Sequence, residues 1–402
     1  MRPGLTTIGF IDEIQDGDLT GCGSRTVMTT LVSSIDRLRF IPIVFTPAEG
    51  LFATAMRKLG AQVRVGTLPL PHKLYRPVGR GARPVLSGFA MNILGGPALV
   101  RTWANEFKAA GLDLAYLSTI FAHVAGSAAA RLAGIPAVCH IQGELQASQR
   151  IKLLSGPYRI WCKTMGAQSV AISKHVAESA SVAGFMEPQI IYNGIDTEKF
   201  KTACDADTLI PTGVRKQHVV GLVSAVSPLK RLDLLPEVAA KVIQAIPDTE
   251  FVVVGQPSSQ AFIDSLKAAT AASGLQEKVI FKGALNNLQD IYPTFDVLLH
   301  LAAVEGFGMV IAEAMSCGCP VVAINRGGPS ELVENSVTGL LVDDPDDTTA
   351  IAGAVVQILT NREKATAMGA AGRARIEQMF SQKTFTEQFE QLFDQMLRRQ
   401  VV

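Results

Sequence analysis

Thirteen short apolar runs, rich in β-branched residues, are separated by stretches long enough to be helices, and this alternation limits the fold more than any other feature. The runs lie at 8–11, 41–45, 63–65, 114–118, 137–141, 169–172 and 190–192 in the first half. In the second half they lie at 219–223, 251–255, 279–282, 297–301, 321–324 and 340–342. Most are apolar throughout, with no alternation, as strands covered on both faces are. Helix candidates at 23–37, 121–133, 232–245 and 309–317 fall between them. Strand–helix alternation predicts an α/β fold with parallel, doubly wound sheets. Thirteen strands in 402 residues suit two such sheets, since a domain takes roughly 100–200 residues.

The break between the sheets is expected near residue 200. From Lys199 to Gln217 the chain is polar, contains Pro211 and Gly213, and shows no apolar periodicity, as a linker does. Residues 67–97 form a long Pro- and Gly-rich insertion, longer than an ordinary connection. Residues 384–399 predict a final amphipathic helix with Phe385, Phe389, Leu392, Phe393 and Leu397 on one face.

Composition removes several classes. Hydrophobic residues make up 48% and charged residues 18%, which excludes disorder, collagen and coiled coil. No apolar run approaches the length of a bilayer span, and Met1 to Gln15 lacks a signal-peptide core, so the expectation is a cytoplasmic protein. The six cysteines are scattered, and Cys317-Gly-Cys319 has no histidine beside it, so no disulfide framework and no metal site is expected. The net charge of +1 divides into +7 for residues 1–200 and −6 for 201–402. No acid occurs between Glu49 and Glu106, an interval holding Arg57, Lys58, Arg64, Lys73, Arg76, Arg80, Arg83 and Arg101. That bias bears on partners. It does not indicate nucleic acid, because aromatics are few there and no DNA- or RNA-binding module is present.

The most informative segment runs Glu305-Gly306-Phe307-Gly308-Met309-Val310, leading to Glu313. It follows a buried strand and opens a helix. Glycines let backbone approach a ligand, and a helix N-terminus offers N–H groups to an anion. Two carboxylates would flank a phosphate cradle. The spacing alone reads equally as an ordinary strand–helix turn with two solvated glutamates.

Together with other segments, this one resembles the E-x7-E motif of the retaining, nucleotide-sugar-dependent glycosyltransferases of GT-B architecture, family 4-like. Tyr192-Asn193-Gly194-Ile195-Asp196 followed by Phe200 resembles the family's N-G-[VI]-D-x-x-x-F. Ser224-Ala225-Val226-Ser227-Pro228-Leu229-Lys230 resembles its G-R-L-x-x-x-K. Gly318-Cys319-Pro320-Val321-Val322, Gly327-Gly328 with Glu331, and Gly339-Leu340-Leu341-Val342 resemble its closing pattern. The similarity runs from about Gly21 to Val342.

The resemblance implies two Rossmann-like domains facing a deep crevice. Residues 1–200 would form the acceptor side, joined by the C-terminal helix within 384–402, and residues 201–383 would bind the nucleotide sugar. It implies no cofactor, no metal, and a nucleoside-diphosphate sugar as donor, with UDP expected ahead of GDP. Phosphates would be held by Lys230 and the backbone at Gly306, Phe307, Gly308, Met309 and Val310, with Gly283, Ala284 and Gly23 near the donor. Glu305 would orient sugar hydroxyls and Glu313 would take the ribose. The family's arginine position holds Ala225, which removes a planar two-pronged donor. Arg231 is adjacent but should point away if Lys230 points in.

His140 falls at a strand end, and strand C-terminal ends face the ligand crevice in open α/β sheets. Alone, such a histidine is more often structural. The resemblance implies one here that meets the transferred sugar, so His140, Lys230 and Glu305 form the expected catalytic set. Gly21 and the insertion's Arg76, Arg80 and Arg83 are expected on the acceptor side, serving an anionic or lipid-linked acceptor or a peripheral contact with an anionic membrane leaflet. The expected activity is transfer of a hexose-type sugar with retention. A catalytically silent binding protein and a nucleotide-sugar epimerase are the alternatives.

Overall fold

The computed structural model describes residues 4–14, 23–70, 75–78, 81–84, 86–144, 160–161, 163–182, 188–202 and 218–399, with backbone course alone through 75–94 and at 182. The chain divides into two compact units, one of Met1–Ile191 with Phe385–Val402 and the other of Tyr192–Thr384.

The first unit is built on β1 (Thr6–Ile11), β2 (Phe40–Thr46), β3 (Gln62–Val65), β6 (Leu114–Leu117), β7 (Ala137–Ile141), β8 (Gln168–Ala171) and β9 (Gln189–Ile190). They form one seven-stranded sheet in the order β3-β2-β1-β6-β7-β8-β9, parallel at each pairing. The connection from β3 to β6 holds a short antiparallel hairpin, β4 (Tyr75–Val78) and β5 (Gly81–Pro84), followed by the helix Leu86–Ala109. The sequence indicates an insertion there but no strands, because Pro77 and Pro84 argue against pairing. A two-stranded hairpin outside the main sheet tolerates both.

The second unit has six parallel strands, β10 (His218–Val223), β11 (Thr249–Val254), β12 (Val279–Gly283), β13 (Val297–His300), β14 (Val321–Ile324) and β15 (Gly339–Val342). Their order is β12-β11-β10-β13-β14-β15. All thirteen expected strands are therefore present, shared seven and six between two Rossmann-like sheets. The order of strand addition reverses once in each sheet, between β1 and β6 in the first and between β10 and β13 in the second. Ligands of open α/β sheets bind at such switch points, outside the strands' C-terminal ends.

The cores explain the sequence pattern. β6, β7, β13 and β14 are buried at every residue, so alternation is lost and continuous apolar runs remain. One apolar cluster covers a face of the second sheet, with Val220, Leu222, Phe251, Val253, Val297 and Leu299 meeting Val238, Val242, Ile351 and Val355. In the first unit, Ile8, Phe10, Leu114, Tyr116 and Val138 meet Val27, Leu31 and the C-terminal helix.

That helix, Gln382–Arg398, buries Phe385, Phe389, Leu392, Phe393 and Met396. Met396, not the expected Leu397, completes the face, because seven residues are nearly two full turns and return Met396 to the Phe389 side, whereas Leu397 is about 100° farther round. Each such side chain contributes about 1.5–3 kcal/mol when fully buried. Arg39 reaches Glu390 at 2.7 Å and Asp394 at 2.6 Å, fixing the helix's azimuth more than its stability because the arginine is well exposed.

The boundary expected at residue 200 lies instead after Ile191. Tyr192 to Phe200 packs in the second unit. The Tyr192 hydroxyl donates to Glu331 at 2.9 Å, the Phe200 carbonyl accepts from Ser316 Oγ at 2.5 Å, and the Phe200 ring lies edge-on to Tyr292. A linker judged from polarity alone misses these anchors. Among the described residues, no helix is long and apolar enough to cross a membrane.

Candidate active site

In the second unit, Lys230 and Glu305 come together at the switch point. β10 ends at Val223 and the chain turns through Ser224 and Ala225 into the 3-10 turn Pro228–Lys230. The turn is braced from the neighbouring strand end. Ser224 N donates to Val254 O, Val226 N to Gln256 O, and Ser258 N to Val226 O, all within 2.9–3.0 Å. β13 ends at His300, and its following loop carries Glu305. Lys230 Nζ and Glu305 Oε2 are 2.5 Å apart, both partly exposed.

Burial alone would raise the Glu305 carboxyl, but His300 and Lys230 outweigh it and hold the group down at about 2. It is an anion at any physiological pH. A small pocket beside the pair is lined by Leu222, Val223, Ser224, Lys230, Leu299 and His300, among others. Arg231 follows Lys230 in a left-handed conformation, φ 55°, which turns its side chain to Asp346 at 2.5 Å. The two adjacent bases thus diverge. Ala225, at the position where the resemblance implies arginine, is exposed and has no side-chain donor.

The loop from Glu305 to Gly308 is held by the Gly327-Gly328 turn. Gly328 N donates to Glu305 O at 2.8 Å, and a Cβ on Gly328 would lie 2.2 Å from the Phe307 carbonyl oxygen, so only glycine fits. Phe307 is buried against Tyr192 and Phe380. Gly308, at φ 99°, is the N-cap of the helix Met309–Ser316 and brings no side chain over its first turn. Met309 and Val310 occupy that turn. Glu313, one turn on, accepts a hydrogen bond from the buried Tyr292 hydroxyl at 2.7 Å. Burial pushes its carboxyl up to about 7, with Tyr292 and Lys199 opposing. Gly283, at φ 70°, ends β12, its carbonyl accepting from Gly255 N at 2.8 Å, and Ala284 follows it exposed.

His140 lies in the first unit, and among the described residues its Nε2 has no hydrogen-bond partner. It is wholly buried in the first unit, not presented at a surface. Its Nδ1 lies 2.5 Å from the Tyr116 hydroxyl, and its ring stands edge-on to Phe389 of the C-terminal helix, centroids 5.1 Å apart. Burial pushes its imidazole down to about 3, with His123 adding to the effect. It is the penultimate residue of β7, so its side chain projects from the sheet face into the core.

Gly23 opens the helix Gly23–Ser34 in an exposed position, and a Cβ added there would meet no atom of the described residues within 4 Å. Gly21 and Arg80 lie outside the described residues, and Arg76 and Arg83 occupy paired positions on β4 and β5.

Sequence reasoning missed several groups. Arg25 forms a buried ion pair with Asp12, Nη2 to Oδ2 at 2.8 Å, and its Nη2 also donates to Ile14 O. Glu13 beside them has one buried carboxylate oxygen without a hydrogen-bond partner. Burial pushes its carboxyl up to about 7; Thr119 opposes this, and Asp12 adds to it. Tyr292 and His300 in the second unit were also missed. The strand-end rule applied to His140 would have found His300, the last residue of β13 at the switch point.

The fold and site define a two-unit α/β protein of GT-B architecture. Residues 211–375 match the family of glycosyl transferases group 1, and residues 51–199 match Glycosyltransferase Family 4. The chain belongs to this family 4-like group of glycosyltransferases. A lipopolysaccharide core biosynthesis mannosyltransferase, LpsB of Rhizobium meliloti (strain 1021), is 29% identical over 232 residues, 56% of this chain and 66% of that protein. The D-inositol 3-phosphate glycosyltransferase of Mycobacterium sp. (strain JLS) is 32% identical over 180 residues, 44% of this chain and 39% of that protein. These matches span less than two thirds of the curated relatives' own length. Among solved structures, Anabaena Alr3699/HepE in complex with UDP-glucose is 26% identical with TM-score 0.77, covering 97% of this chain and 99% of that one.

Proposed function

We propose that this chain is a retaining glycosyltransferase that moves a hexose-type sugar from a nucleoside-diphosphate sugar, without a metal ion. The observation that carries the reading is the Lys230–Glu305 pair at the second sheet's switch point, beside a glycine-capped helix. The neighbour solved with UDP-glucose supports a uridine donor.

In this reading the diphosphate draws Lys230 from Glu305, and the backbone from Gly306 to Val310 takes the remaining phosphate charge with the helix dipole. Such placed charges stabilise the departing diphosphate as the anomeric C–O bond lengthens, the term that usually dominates. Glu305, ionised, accepts from sugar hydroxyls. Glu313, steadied by Tyr292, takes the ribose. The acceptor attacks from the face the diphosphate leaves, and the diphosphate takes its proton.

Thermal-shift screening against UDP- and GDP-sugars tests the donor, because a ligand that binds only the native state raises its stability. Stabilisation by no nucleotide sugar would sink the reading. The anomeric configuration of the product, read by NMR, tests retention, and turnover undiminished by EDTA tests metal independence. The acid-free interval 50–105 supports an anionic or lipid-linked acceptor. Flotation with anionic liposomes at low and high salt checks the lipid case.

Ala225 favours one other reading, a silent GT-B-like binding protein. Nucleotide-sugar binding with neither transfer nor hydrolysis would favour it.

A further inference from the structure

We propose that His300 is a positioning residue that takes hold of the Glu305 carboxylate when a phosphate draws Lys230 away. The inference rests on the nucleotide-sugar reading above. His300 closes β13, is 4% exposed, and among the described residues neither ring nitrogen makes a close hydrogen bond, Nε2 having only a long contact with Glu305. Nearly all buried polar atoms make one, so an imidazole without one beside charged groups calls for an explanation.

The geometry supplies one. His300 Nε2 is 3.5 Å from Glu305 Oε2, the same oxygen that holds Lys230 Nζ at 2.5 Å. At 3.5 Å the histidine is too far for a good hydrogen bond, yet a shift of about half an ångström would make one. Lys230 has one ammonium for two anions. If it turns to a phosphate, Glu305 is left partly buried with its charge uncompensated, which is costly. An Nε2–H donated to the same oxygen removes that cost and keeps the carboxylate aimed at the sugar.

The surroundings leave His300 little else to do. Leu222, Val223, Leu232, Leu299 and Leu301 wall the pocket, and Ser224 and Lys230 are its other polar lining residues. The charged groups facing the imidazole are Glu305 and, on the same pocket wall, Lys230. Rigid apolar walls hold the ring within reach of one carboxylate.

Ring ¹H–¹⁵N spectra of the full chain, with the His300 signals assigned through His300→Gln, test the exchange directly. Lys230→Met removes the competing ammonium, so the His300 signals are expected to move in that variant without ligand. They should move in the same direction in the wild type on adding UDP, and Glu305→Ala should abolish both changes. In turnover, His300→Phe is expected to slow sugar transfer about tenfold, less than loss of a direct charge contact, with UDP affinity within about twofold. His300→Gln, whose amide can donate, should recover most of the rate. His300 signals indifferent to Lys230→Met overturn the proposal even if His300→Phe does not fold, and so does a folded His300→Phe with wild-type turnover. Signals that move in Lys230→Met while UDP never binds would keep the His300–Glu305 coupling and remove the nucleotide reading instead.

Discussion

The two units share one topology but treat the ends of their strands differently. In the second, Lys230 beyond β10 and His300 at the end of β13 line a pocket, and Lys230 and Glu305 are partly exposed, charged and mutually held. In the first, the groups around the corresponding switch point turn inward. Asp12 and Arg25 are buried in an ion pair, and His140 is sealed beneath the C-terminal helix. Burial pushes His140 and Glu13 toward neutrality, whereas at Glu305 two neighbouring side chains overcome burial and secure the charge. Near a strand end, a titratable side chain keeps its charge where neighbouring groups offset burial. Where a helix packs across it, the side chain becomes core.

The sharpest test of this contrast is a pair of substitutions in the second unit. Lys230→Ala and Glu305→Gln should each lower turnover roughly 10²-fold or more, the scale of a lost placed charge. Near-normal rates in both would move the chemistry away from this pocket.

In the first unit the effect should appear as stability. Arg25→Ala leaves Asp12 buried without its partner and is expected to cost about 3–5 kcal/mol in urea unfolding. His140→Leu leaves the Tyr116 hydroxyl unsatisfied and should cost about 1–3 kcal/mol. Its signature is lost stability with nucleotide affinity retained. A variant as stable as wild type that loses turnover 10²-fold, the scale of a direct contact, would restore His140 to the chemistry.

The remaining effects are slopes with pH, and they separate a buried acid of the second unit from a buried base of the first by sign. The Glu313 carboxyl is raised from 4.5 to about 7 in the folded second unit. The unfolded chain releases that proton first, so the contribution is present below pH 4.5 and is lost as pH rises through 7. Glu313→Gln should flatten that loss. His140 is lowered from 6.5 to about 3 in the first unit, so its contribution is present above pH 6.5 and is lost as pH falls toward 3. His140→Leu should remove that slope. Variant-minus-wild-type unfolding free energies across pH 3–8 read both, and equal signs would break the comparison.

Much of this was legible beforehand, for a physical reason. Strands buried on both faces must be apolar at every position, so the runs that became β6, β7, β13 and β14 were visible as runs. Lys230, Glu305, Gly308 and Glu313 follow strands in an order that already resembled a phosphate-binding constellation. The hairpin β4–β5 was hidden because prolines oppose strand pairing and its pattern is too short for periodicity. The unit boundary was hidden because polarity records exposure, whereas Phe200 is tied down by a ring contact and a hydrogen bond from residues about a hundred positions away.

By itself, the chain's amino-acid order determined the strands, their parallel pairing into two sheets, and the glycines and carboxylates that punctuate the second. These are local properties, set by neighbours within a few residues and by the need to bury continuous apolar segments. Only the tertiary structure decided what each strand-end side chain faces. His140 and His300 each lie at or next to the C-terminal end of a strand. Phe389, some 250 residues from His140, closes one face, while the turn after β10 leaves the other beside Lys230 and Glu305. Burial of a polar group depends on what packs over it from elsewhere in the chain, and no local pattern carries that information.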